Sequence, residues 1–144
     1  MTDEGKFLEV IPYTGDGYAP LLFSAGWQVA ILNWEPLIDL ASLSEIERHA
    51  QTVEVFGLWR GRAALFVKTD DGISLVDLQP GVIYNVTAGT WHNLIATRDV
   101  SLWIVENRDT HLYDSEIRKL ETAEKAQVLA QLPDWARQGA RENG

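Results

Sequence analysis

The chain has 144 residues, 46% hydrophobic and 23% charged, which is the composition of a globular protein and rules out a disordered or fibrous one. That length suits a single domain with a core large enough to fold without disulfides or a structural metal. Acidic residues outnumber basic ones 21 to 12, a formal charge of -9 that argues against nucleic acid or an anionic membrane surface as the main partner. The absence of cysteine excludes a thiolate nucleophile, cysteine-held metals and disulfide bridges.

The amino terminus, Met1-Thr2-Asp3-Glu4-Gly5-Lys6, is polar and acidic, so no secretory signal is expected and the reading is cytoplasmic. No apolar run approaches the length of a membrane span. Residues 1–20 hold Gly5, Pro12, Gly15, Gly17 and Pro20, a breaker density that predicts an N-terminal arm with turns. The stretch 27–34 is rich in β formers, and its odd positions Trp27, Val29 and Ile31 share one face of a predicted strand that Glu35-Pro36 ends. From Leu43 the pattern is mixed.

Further strands are predicted over 53–59, 63–67, 73–78, 83–86, 91–96 and 100–106, punctuated by Arg60-Gly61, Asp70-Asp71-Gly72, Pro80-Gly81, Ala88-Gly89 and Arg98-Asp99. Short strands with no helix between them predict an all-β antiparallel sandwich or barrel, assigned to residues 21–120. Residues 122–132 read as one short C-terminal helix, with Thr122 as N-cap and Pro133 beyond its end, followed by a tail to residue 144. That helix is expected to cover an open sheet edge or form a dimer contact. Apolar strands and abundant aromatic side chains predict a homodimer.

With no cysteine and three histidines, few residues can carry metal or acid–base chemistry. In Glu47-Arg48-His49, strand alternation puts Glu47 and His49 on one face. Glu54 opens an apolar strand and can face back toward them if the chain turns near Gln51 and Thr52. A carboxylate among apolar residues needs a cation or hydrogen bonds, so the alternative is an ion pair with Arg60 or Arg62. His92 follows the turn Ala88-Gly89-Thr90-Trp91, which can aim its ring into a barrel mouth. His111, in a polar segment, reads as a surface loop residue. Trp59 and Trp103, in apolar strands, are assigned to packing.

The series Glu47-x-His49-x4-Glu54-x6-Gly61, then Gly81-x5-Thr87-x-Gly89-x2-His92, resembles the two motifs of the cupin superfamily. More narrowly, the segments 27–33, 54–56, 84–86, 89–93 and 105–110 are similar to small single-domain bacterial cupins without an assigned reaction. The resemblance implies a cupin-type antiparallel β-barrel, or jelly roll. It also implies a divalent ion, zinc, manganese, iron or nickel, held by His49, Glu54 and His92, with Glu47 in place of the usual first histidine. Glu47 is then a fourth ligand, a general base, or a residue turned to solvent; Gln51 is a reserve ligand. Ala41, Thr87 and Ala96 depart from the usual glycine, proline and asparagine.

The functional expectation is metal-assisted chemistry on a small polar metabolite, of isomerase, lyase, decarboxylase or dioxygenase type. The alternative is a non-catalytic module that binds a small ligand or regulates a partner. The chain shows no DNA-binding helix pair or basic stripe.

Overall fold

In the computed structural model, which describes residues 4–137, the runs between turn signals fold into strands that take 42% of the described residues. The end of the expected C-terminal tail lies outside the described residues. A helical turn, α1 (Glu4–Phe7), opens the arm. Then come β1 (Tyr18–Phe23), β2 (Trp27–Asn33), two 3-10 turns at Pro36–Ile38 and Leu40–Ser42, β3 (Glu45–Arg48), β4 (Glu54–Arg60) and β5 (Ala63–Thr69). After β6 (Gly72–Asp77), β7 (Tyr84–Val86), β8 (His92–Ala96) and β9 (Ser101–Asn107), the chain adds α2 (Thr110–Tyr113), β10 (Glu116–Lys119) and α3 (Thr122–Ala130). The short strands β1, β3 and β10 lie outside the runs read from hydrophobic pattern.

Two five-stranded antiparallel sheets result, ordered β1-β2-β9-β4-β7 and β10-β3-β8-β5-β6. Consecutive side chains alternate between faces, so β4 buries Glu54, Phe56 and Leu58 while Trp59 is left exposed. Phe56, Leu58, Leu65, Leu94, Leu102 and Ile104 form the core between the sheets. On β2 the buried positions are the even ones, Gln28, Ala30 and Leu32, together with Asn33 at the strand's end. Trp27, Val29 and Ile31 do share a face, and it is the outer one. At the β4–β5 turn a Cβ on Gly61 would come within 2.7 Å of the Val100 backbone, and its φ is +72°, so this position requires glycine.

Strand β5 is buried on both faces, because Ala64 and Phe66 pack outward against Ile95, Val128 and Leu132. Helix α3 therefore lies over the second sheet and also closes its edge. The Ile73 N–H donates to Gln127 Oε1 at 2.7 Å, and Gln131 Nε2 donates to the Ile73 carbonyl at 2.8 Å. Glutamine side chains thus occupy ladder positions that an edge strand leaves free. The N-cap is Glu121 in a capping box with Glu124, one residue before the expected Thr122. Arg118 adds a bidentate pair to Glu124 at 2.7 and 2.9 Å, which ties β10 to the helix.

The outer face of the first sheet has no such cover among the described residues. Trp59 and Trp103 stack there with ring centroids 6.2 Å apart, and Trp103 is 52% exposed. They pack on each other at the surface, outside the core. No helix among the described residues is long and apolar enough to cross a membrane.

Candidate metal centre

Glu47, His49, Glu54 and His92 converge from three different segments, each offering a ligand atom within 4.8 Å of the others. Register explains the meeting. Glu47 on β3 lies opposite His92 on β8, and Glu54 enters β4 with its side chain inward. His49 sits one residue past the end of β3, and the bend after it returns the chain so that Glu54 faces back. The motif turn is tied to the same place: the Gly89 N–H donates to the His49 carbonyl at 2.7 Å. Gly89 has φ +80°, and the Thr87 and Thr90 hydroxyls bond to each other at 2.9 Å where the family pattern has proline.

Both imidazoles are oriented by backbone. His49 Nδ1–H donates to the Asp114 carbonyl at 2.7 Å, and His92 Nδ1–H donates to the Thr90 carbonyl at 2.9 Å. A carbonyl only accepts, so each Nδ1 carries the proton and each Nε2 is left pointing at the centre. There Glu54 Oε2 meets His49 Nε2 at 2.5 Å and His92 Nε2 at 3.1 Å. Glu47 Oε1 stands 3.6 Å from His49 Nε2, and Glu47 Oε2 accepts from Ser115 Oγ at 2.9 Å. Glu47 is half-buried and turned to the site. Gln51 is exposed, and its backbone N–H donates to Asp114.

Electrostatics follow from this packing. Burial would lower the proton affinity of His49, but the hydrogen bond and charge of Glu54 outweigh it and hold the ring up at about 9. His92 is opposed by burial and raised by Glu54 in the same way. For Glu54, burial acts upward and the two imidazoles act downward more strongly, leaving the carboxylate ionised down to about 2. The partners of Glu54 are thus histidines and not arginines. Arg62 pairs with Asp77, and Arg60 donates to the Asp99 carbonyl.

The donor set suits a divalent cation. Two correctly protonated imidazoles and two carboxylates supply borderline nitrogen and oxygen ligands, with the rings fixed by outer partners. Asp114 is a supporting residue that sequence reasoning missed. Its carboxylate accepts the Ala50 and Gln51 N–H groups at 2.9 and 3.1 Å and the Thr52 hydroxyl at 2.8 Å, fixing the loop that carries His49.

His111 corrects an expectation. It lines the same cavity, its ring 5.6 Å from that of Tyr18, because α2 turns it inward after the left-handed Asp109. Gln28 Nε2 donates to Tyr18 Oη and Glu106 Oε1, both at 3.0 Å, and lies 3.1 Å from His111 Nδ1; Tyr18 Oη also donates to Glu106. Gln28 Oε1 accepts the Asp109 N–H at 2.9 Å, which anchors the turn. The cavity holds about 240 Å³ and is lined by Glu47, His49 and Glu54 and by Tyr18, Glu106 and His111, with Glu54 and Glu106 side by side on β4 and β9. Leu32, Ile38, Phe56 and Ile104 make its apolar wall.

Neither a protein-family model nor a curated protein sequence matches the chain. Solved structures do. BH2720 from Bacillus halodurans is 19% identical with a TM-score of 0.53, over 89% of each chain. A single-residue variant of the Streptomyces protein PAC13, solved with uridine, has a TM-score of 0.52 at 6% identity, over 80% of this chain and 87% of that one. A cupin-2 domain protein of Shewanella frigidimarina is 22% identical at a TM-score of 0.49, over 67% and 85%. These likenesses concern fold. Two antiparallel sheets enclosing the motif residues are a cupin-type jelly roll, and the chain has the cupin fold that its motifs imply.

Proposed function

We propose that this protein is a metal-dependent cupin enzyme that acts on a small polar metabolite. The observation that carries the reading is the convergence of two imidazole Nε2 atoms and two carboxylates, with Glu47, His49 and Glu54 at the wall of a cavity. His49, Glu54 and His92 would hold the ion, which when bound supplies a Lewis acid for a substrate oxygen. Glu47 is the general base. It borders the cavity, its side chain is 36% exposed, and Ser115 orients one of its oxygens, so the other is free to take a proton.

This arrangement favours proton-transfer chemistry, of isomerase or lyase type, over the other reactions of the fold. A cavity of about 240 Å³ has the volume of roughly eight waters, which limits the substrate to a compact molecule. The Streptomyces protein of like fold was solved with uridine, in keeping with a small polar ligand. Elemental analysis of the purified protein should find stoichiometric zinc, manganese, iron or nickel, removable by a chelator. A chain that refuses all four ions would instead be a metal-free ligand-binding or regulatory module.

The uncovered sheet face supports a further proposal, that two chains pair through it. Trp59, Trp103 and Val105 stand exposed on the first sheet, while α3 covers the second. A Trp103→Glu substitution should then convert a dimer to a monomer by light scattering. A wild-type chain that is monomeric at high concentration would end this reading.

A further inference from the structure

A second polar group in the cavity, next to Glu54 across the β4–β9 ladder, carries a carboxylate with no cation bonded to it among the described residues. Glu106 is 4% exposed and lines the cavity, yet no lysine or arginine is among the lining residues. Its hydrogen bonds, from Tyr18 and Gln28, both go to Oε1. Among the described residues Oε2 accepts none. It is not sealed off either, because no fully buried side-chain oxygen among the described residues lacks a partner. The free oxygen therefore faces the cavity.

The remaining wall adds charge of the same sign. Glu35, Glu45, Glu47 and Glu54 also line the cavity, and even a divalent ion held at Glu54 would leave the pocket net negative. A cleft with apolar walls focuses such a field. An anionic substrate would enter against it. A buried carboxylate is expected to be matched by a cation, and the two imidazoles of the cluster are bonded to Glu54, which leaves Glu106 Oε2 open to a cation from outside the chain.

We infer that the substrate is a compact amine, bound with its ammonium group on Glu106 Oε2 and its remaining polar group toward Glu47 and His49. Tyr18 and Gln28 hold the carboxylate in place by occupying Oε1, and His111 borders the same subsite. This deepens the reading of the cavity as a small-metabolite site and rests on it.

The test uses three probes of equal chain length on the full chain, metal-free and zinc-loaded: putrescine, its diol counterpart and succinate. Binding is followed by calorimetry and by the ring resonances of Tyr18 and His111. Putrescine should bind about tenfold or more tightly than the diol, and succinate should be weakest. Glu106→Gln should remove the preference for putrescine while zinc stoichiometry stays that of the wild type. Tyr18→Phe, which keeps the charge, should retain the preference.

Succinate or the diol binding as tightly as putrescine would overturn the inference, and this ranking needs no variant. So would an unchanged putrescine affinity in a folded Glu106→Gln protein. Zinc binding without a preference for the amine leaves the metal reading standing and removes this one. An amine preference that depends on Glu106 in a chain that refuses zinc does the reverse.

Discussion

Glu54→Gln is expected to abolish metal retention and to destabilise the metal-free protein by about 3 kcal/mol, the loss of charge-assisted hydrogen bonds from two buried rings. Both effects have one origin. Glu54 Oε2 is the acceptor shared by His49 and His92, and the carboxylate is 5% exposed, so water cannot replace it. Without it the two imidazoles face each other across an apolar interior and both must give up a proton. His92→Ala should also cost about 100-fold or more in zinc affinity, with a smaller stability loss because Glu54 keeps His49.

Urea titrations and metal analysis of the two variants check this together. Arg60→Ala and Arg62→Ala serve as controls, because those side chains are bonded elsewhere and should change neither quantity. A Glu54→Gln protein that keeps its metal and its urea midpoint would mean that the centre is not built on this residue.

How much of this was legible beforehand depends on the kind of signal. The four convergent residues lie at motif spacing, and Glu54 could be noticed because a carboxylate opening an apolar strand needs a partner. The same signal was present for Gln28, between Trp27 and Val29, and for Glu106, after Val105; both lie in segments that carry the family resemblance, but neither received a role from it. Asp114 was beyond reach. Its grip on His49 uses a backbone carbonyl, which has no residue signature, across a separation that only the packing of β10 beside β3 closes.

His111 was misread for a related reason. A polar local sequence predicts exposure, and only the left-handed turn at Asp109, held by Gln28 from a distant strand, brings the ring inward. Two of the four edge strands, β1 and β10, were hidden by their chemistry. Strand β1 contains Pro20 beside a register shift, and β10 is a short alternation of charged residues around Ile117, so neither carries a hydrophobic period. The central strands β2, β4, β5, β8 and β9 were legible because burial on one or both faces demands apolar runs between turns, whereas β3, Glu-Ile-Glu-Arg, carries too few apolar residues.

The second large effect expected is on pH. Two unperturbed imidazoles would make metal affinity fall only below about pH 6.5. In this centre the His49 ring holds its proton up to about 9, and a metal must displace it. Zinc affinity should therefore keep rising through neutral pH, by about tenfold per pH unit for each proton displaced, and level off only near 9. Stability of the metal-free chain should run the other way. The raised His49 contributes fully below about 6.5 and is lost as pH climbs through about 9, a contribution on the order of 3 kcal/mol for the cluster. The depressed Glu54 contributes above about 4.5 and is lost only as pH falls through about 2. Metal-free protein is thus held best by these groups between about 4.5 and 6.5, and loaded protein at more alkaline pH. Calorimetric zinc titrations and melts of chelated protein from pH 5 to 10 would display the crossing. Affinity that is flat above 6.5 would mean that His49 gives up no proton to the ion, and the shared Glu54 bond would not then be the group that metal displaces.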